Sequence, residues 1–174
     1  GFKGGGFTMR GFPPVIPGVT TPETDPAKVI PSFDPETAEM FELGLKTDLF
    51  NRRMRLNIAG FITNYKALQL LANTGPSAFV PVLINAGDAR IKGIEVEADI
   101  LAAEWLRVNA SVGYLDSGYR RLSADAIAAG ASLDNEIPNS PEWTTTLGAT
   151  LDVVNFDMGR VFLRGDWSYK SSQF

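Results

Sequence analysis

Six stretches of this chain alternate apolar and polar side chains residue by residue, and that period of two limits the possible folds more than any other feature. In Glu39–Phe50, Phe41, Leu43 and Leu45 oppose Glu42, Gly44, Lys46 and Asp48. In Arg53–Lys66, Met54, Leu56, Ile58 and Ile62 oppose Arg53, Arg55, Asn57 and Thr63. Ile91–Ile100 sets Ile94, Val96, Ala98 and Ile100 against Gly93, Glu95, Glu97 and Asp99, and Trp105–Asp116 sets Leu106, Val108, Ala110, Val112 and Tyr114 against Arg107, Asn109, Ser111 and Gly113. Trp143–Val153 and Arg160–Lys170 repeat the pattern with Leu147, Leu151, Val161, Leu163, Trp167 and Tyr169 on the apolar side. Alternate residues of a strand point to opposite faces, so each stretch is a ribbon with one greasy and one wet face. Phe61, Leu115 and Phe162 are exceptions that fall on the wet side.

The connections also alternate. Asn51-Arg52, Leu101–Glu104 and Val154–Gly159 are short turns, whereas Gly11–Thr37, Leu71–Asn85 and Arg120–Pro141 exceed ordinary loop lengths. The Ala-rich run Ala124–Ala131 is read as surface loop with some helix propensity. Strand, short turn, strand, long loop, repeated, makes an antiparallel up-and-down meander with one smooth and one elaborate end. A soluble β-sandwich alternates in the same way, so periodicity by itself leaves both architectures open. Three features favour a transmembrane barrel: strands well beyond the usual five or six residues, aromatic residues gathered toward strand ends, and a loop asymmetry that never reverses.

Composition narrows the chemistry. The chain has no cysteine and no histidine, which removes disulfides, thiolate metal sites and the commonest general base and transition-metal ligand. The net charge of −4 argues against a nucleic-acid partner, which requires a basic face. No apolar run approaches the roughly 20 residues of a membrane helix, but a barrel strand needs only about ten alternating ones. No catalytic, metal or cofactor residues are expected, and the chain is not read as an enzyme. Its first residue is Gly1 and it stops within a strand-like segment, so it is expected to be a piece of a longer barrel.

Register follows from the turns. With Asn51-Arg52 as a two-residue hairpin loop, Leu49 faces Met54, Asp48 faces Arg55 and Lys46 faces Asn57; in the next hairpin Asp99 is expected opposite Arg107 and Glu97 opposite Asn109. Glu42, Lys46, Asp48, Arg55, Glu95, Glu97, Asp99 and Arg107 are therefore assigned to a hydrated, lumen-facing wall. The row Glu95, Glu97 and Asp99 has the hard oxygen donors of a cation site, but pairing with the nearby arginines accounts for it more simply. Asp152, Asn155 and Asp157 are accounted for by turn chemistry. Tyr119, Arg120 and Arg121 open a long loop, where a ring and two guanidinium groups suit an anionic small ligand.

Several motifs resemble the barrel domain of TonB-dependent outer-membrane receptors. Gly1-Phe2-Lys3-Gly4-Gly5-Gly6-Phe7 is similar to a glycine-rich strand of that family. Pro35-Glu36-Thr37 followed by Phe41-Glu42-Leu43-Gly44-Leu45-Lys46 resembles its "PET…ELGLK" strand, with Arg55-Leu56-Asn57 through Asn64-Tyr65 as hairpin partner. Asn85-Ala86-Gly87-Asp88-Ala89-Arg90 through Gly93-Ile94-Glu95-Val96-Glu97 looks like its "NAG.A…GIE.E" strand, and Ile137-Pro138-Asn139-Ser140-Pro141-Glu142-Trp143 resembles its "PN.PeW" strand entry. Each is weak alone; five in family order are strong together.

The resemblance implies an all-β fold in which residues 1–174 form about six to seven strands of a 22-stranded barrel, with the plug domain and the C-terminal strands outside the chain. It also implies energised uptake, through TonB, of an iron–siderophore complex, vitamin B12 or another scarce nutrient across the outer membrane of a Gram-negative bacterium. The implied partners are outer-membrane lipid and lipopolysaccharide, TonB by way of the plug, and the small nutrient or metal chelate. Asn85, Gly87, Arg90 and Gly93 form the most specific motif, with a structural role in strand entry and close strand packing. A passive porin and a soluble β-sandwich binding domain are the alternatives.

Overall fold

The computed structural model describes residues 1–7, 32–72 and 82–172. Its strands in chain order are β1 (Phe2–Lys3), β2 (Gly6–Phe7), β3 (Ser32–Phe33), β4 (Glu36–Leu49), β5 (Met54–Ala72), β6 (Val82–Ala103), β7 (Leu106–Leu122), β8 (Trp143–Phe156) and β9 (Gly159–Lys170), with one short helix, α1 (Ala124–Ala128), between β7 and β8. Seven strands form one sheet in the order β1-β4-β5-β6-β7-β8-β9, and β2 pairs with β3 separately. From β4 onward every strand lies beside its sequence neighbour, as the alternating pattern requires.

The first hairpin turns as expected. Arg53 N donates to Phe50 O at 3.2 Å, and both central residues, Asn51 (φ 55°) and Arg52 (φ 65°), are left-handed, as a two-residue turn matched to strand twist requires. Phe50 is left-handed too, at φ 53°. An L-residue pays roughly 1–2 kcal/mol for that conformation, so the flanking ladders hold the turn against local strain.

Strands β5 and β6 run further than the alternation indicates, and the segment read as the loop Leu71–Asn85 is strand at both ends. The physical cause is a break in parity. Ala67 is left-handed at φ 54° inside β5, and Gly87 has φ 140° inside β6. Each interrupts the two-residue pattern while the ladder continues. The reading of Ala124–Ala131 as loop is also corrected. Residues Ala124–Ala128 are helical, and the Ser123 hydroxyl accepts the Ala126 N–H at 3.2 Å as an N-cap.

The chain divides into two compact units, one of residues 1–39, 64–90 and 118–135, the other of 40–63, 91–117 and 136–174. In the first, Val82, Ile84, Ala86 and Ala126 form a small buried core, with Leu70, Ala72, Leu122 and Ala131 packed against it. The short helix is explained by that contact, because five residues cannot hold a helix in water.

The second unit is organised by its two faces. On one, Leu106–Leu151–Leu163, Val108–Ala149–Gly165, Ala110–Leu147–Trp167 and Val112–Thr145–Tyr169 lie in rows across β7, β8 and β9; on the other, Arg107–Thr150–Arg164 and Ser111–Thr146–Ser168 do. The pairing slips only between Asp152 and Val154, near the end of β8. Nothing among the described residues covers the apolar face: Leu43 is 83% exposed, Leu163 62% and Trp167 56%. A continuous exposed apolar surface marks a face that meets a partner, a ligand or a membrane, and it is the outward face a membrane strand needs.

Placing a cation on that face is therefore expected to be far costlier than placing one on the other. In the full-length protein reconstituted in bilayers, Leu147→Arg should destabilise by about 2–4 kcal/mol if it lies near the midplane, and Ser168→Arg by no more than about 0.5 kcal/mol. Denaturant unfolding from vesicles measures both.

Candidate functional site

In the first unit, the motif residues build a strut around the irregular turn of β5 at Ala67. The Asn85 amide donates to Ala67 O at 2.8 Å and to Asp34 O at 2.9 Å, and its carbonyl accepts from Asp34 N at 2.6 Å. Asp88 accepts the Ala67 N–H at 3.2 Å. Both peptide groups flanking the left-handed residue are thus satisfied by side chains, as buried backbone groups must be. Gln69 continues the network: its backbone N–H donates to Glu36 at 2.7 Å, and its amide bridges Gly4 O and Asp34 O at 3.0 Å each.

Gly87 and Arg90 hold the neighbouring strand. A Cβ at Gly87 would sit 1.9 Å from Arg121 O, a position only glycine can occupy. Arg90 donates through Nε to Asn64 at 2.7 Å. Arg121, expected to face a ligand, instead pairs with Asp88 at 3.0 Å. Asp88 precedes Ile91–Ile100, the stretch that carries the membrane-crossing alternation. The hydrogen bond from Arg121 holds its carboxyl below the ordinary carboxylate range, with the Ala67 N–H and the nearby cationic charge of Arg121 and Lys66 adding to that and burial opposing it. Tyr119 is half-buried, and Arg120 is exposed with no side-chain bond among the described residues.

In the second unit, the wet face holds a set of cross-strand polar contacts. Asp48 and Arg55 pair at 3.1 Å, as the turn register requires. Asn57 donates to Glu97 at 3.2 Å, and the Ser111 and Thr146 hydroxyls meet at 2.6 Å. Lys46 lines a small recess with Asp48, Arg55 and Asn57, and Glu42 lines another beside Gly93. Gly93 packs closely: a Cβ there would come within 2.6 Å of Tyr114 O and 2.9 Å of the Leu115 and Phe61 side chains.

The β6–β7 contacts differ from expectation. Lys92 pairs with Asp116 at 2.8 Å, whereas Asp99 opposite Arg107 would set Lys92 opposite Tyr114. Glu95 lies near the Gly113 position, in agreement with the Lys92–Asp116 pair. The shift is by an even number of residues, so the faces are kept, but Asp99 and Arg107 form no ion pair and instead line one recess. The row Glu95, Glu97 and Asp99 makes no metal-holding group among the described residues.

Sequence reasoning missed Gln69, Asp88 and the arginines Arg160 and Arg164. Gln69 had a signal, a lone amide inside the run Leu68–Leu71. The other three required tertiary register to acquire meaning.

The family described as TonB dependent receptor-like, beta-barrel, matches residues 1–174. The chain is 27% identical over 128 residues to the probable TonB-dependent siderophore receptor PiuA of Acinetobacter baumannii, covering 70% of this chain and 16% of PiuA. Among solved structures, it resembles BauA, the ferric preacinetobactin receptor of A. baumannii, with 24% identity and a TM-score of 0.60 over 82% of this chain and 20% of that one. It also resembles FyuA, the ferric yersiniabactin uptake receptor of Yersinia pestis, with 21% identity and a TM-score of 0.61 over 94% of this chain and 21% of that one. The chain therefore spans about a fifth or less of the length of these proteins.

The strut gives two expected outcomes. Gly87→Ala should cost at least about 1–3 kcal/mol from backbone strain alone, and Asn85→Ala about 1–3 kcal/mol from unpaired backbone groups. Both should raise amide exchange at Ala67 and Gln69 in the full-length protein while leaving β8 and β9 protected. Because the Asp88 pKa is lowered on folding, its contribution is fully present above the ordinary value of 3.8 and is lost as pH falls through the lower folded value.

Proposed function

This chain belongs to the TonB-dependent receptor β-barrel family, and from that premise we propose that the protein carrying it is an outer-membrane receptor for a ferric siderophore, energised through TonB. The observation that carries the reading is a sheet with one exposed apolar face and one polar face in a chain matched by that family from end to end. A barrel wall facing lipid outward and an aqueous passage inward needs that division. The names of PiuA, BauA and FyuA, which refer to a siderophore or to ferric complexes, support an iron chelate as the cargo class.

Within this reading the chain is a wall and does no chemistry. Lumen-facing Glu42, Lys46, Glu95 and Glu97 keep the inner surface hydrated. Cargo contact falls to Tyr119 and Arg120, because Arg121 is already neutralised by Asp88. Contact with TonB belongs to the plug, outside these residues.

The test is uptake of iron-55 presented as ferric siderophores to iron-starved cells. Deleting the gene should abolish uptake of at least one chelate, and deleting TonB should do the same. Uptake that survives TonB loss, together with a steady ion conductance in planar bilayers, would make the protein a passive channel instead.

A further inference from the structure

The wet face of the second unit has an arginine-rich recess that the uptake reading does not use. It encloses about 520 Å³ and is lined by six arginines against three aspartates, in a chain whose net charge is −4. The clustering therefore does not reflect a basic composition.

Most of these arginines are engaged. Arg55 pairs with Asp48 at 3.1 Å, Arg160 with Asp152 at 3.5 Å, and Arg164 with Asp166 at 2.6 Å. Arg53 donates to Leu101 O and Ala102 O at 3.3 and 3.2 Å. The side chains of Arg107 and Arg52 make no hydrogen bond or ion pair among the described residues. Asp99 also lines the recess and pairs with neither. The strand register places Thr150 between Arg107 and Arg164, so the two guanidinium groups flank it on the same face. Arg107 thus keeps all five N–H donors available within a positive field contributed by its neighbours.

We propose that this recess is a binding site for a small anion bearing carboxylate or phosphate groups, with Arg107 as its principal contact. A planar guanidinium matches both groups through two parallel hydrogen bonds. The site involves none of Tyr119, Arg120 and Arg121, and does not depend on the identity of the transported cargo.

The test uses the full-length protein in bilayers, with Thr150→Cys as a reporter and Ser168→Cys, on the same face away from the arginines, as reference. Any cysteines elsewhere in the protein are first replaced. A negatively charged thiosulfonate reagent should modify Thr150→Cys faster than a positively charged one, by at least about tenfold relative to the reference. Citrate or inorganic phosphate should slow that reaction, and whichever protects better identifies the preferred group. Adding Arg107→Gln, which breaks no internal bond, should remove the protection and most of the charge preference. Equal rates with both reagents, no protection by either anion, protection unchanged in Arg107→Gln, or no modification by either reagent would each overturn the proposal.

Discussion

A peptide group left unpaired in hydrocarbon costs several kcal/mol, and the strand pairing of this chain answers to that cost. Strands β5 to β8 are paired on both sides with their neighbours in sequence order, and β4 and β9 pair inward with β5 and β8. Once pairing is fixed, side chains must alternate between lipid and water, so the ladder and the two-faced composition are one constraint. A slip by one residue would turn Arg107 and Arg164 onto the apolar face and Leu106 and Leu163 onto the polar one. A slip by two preserves the faces, so β6 and β7 can carry the Lys92–Asp116 pair in place of the expected Asp99–Arg107 pair without turning either strand over.

The same constraint explains the strut at Ala67. A left-handed residue within a strand removes two backbone groups from the regular ladder, and here the Asn85 and Asp88 side chains replace them. Arg121 is drawn into that structure by its ion pair with Asp88. The family motif is thus a device for stabilising a strand irregularity, and Gly87 is required because the neighbouring backbone occupies the space a side chain would need.

Much of the fold could be read in the sequence, since two-residue alternation survives wherever strands are regular: β4, β8 and β9 lie where Phe41–Leu45, Leu147–Leu151 and Leu163–Tyr169 place them. The reading failed beyond the backbone irregularities at Ala67 and Gly87, which break the parity, so that the strand residues Leu71–Ala72 and Val82–Asn85 were taken for loop. Helix α1 was missed because its stability comes from Ala126 packing on Val82 and Ile84, a contact remote in sequence. Of the polar wall, Asp48–Arg55 was legible because a two-residue turn fixes its register. The Arg107 recess was not, because it is assembled from residues of six strands and the turn between β4 and β5.

Lipid contact along one face of β8 is the central claim, and collision accessibility of spin labels tests it directly. Labels placed singly from Thr144 to Leu151 in the full-length protein in bilayers would be exposed in turn to molecular oxygen and to a water-soluble nickel chelate. Oxygen accessibility should peak at Thr145, Leu147, Ala149 and Leu151, and nickel accessibility at the residues between them, in opposite phase. Low accessibility to both agents at the odd positions would mean that a second protein layer covers the apolar face, and would contradict the account.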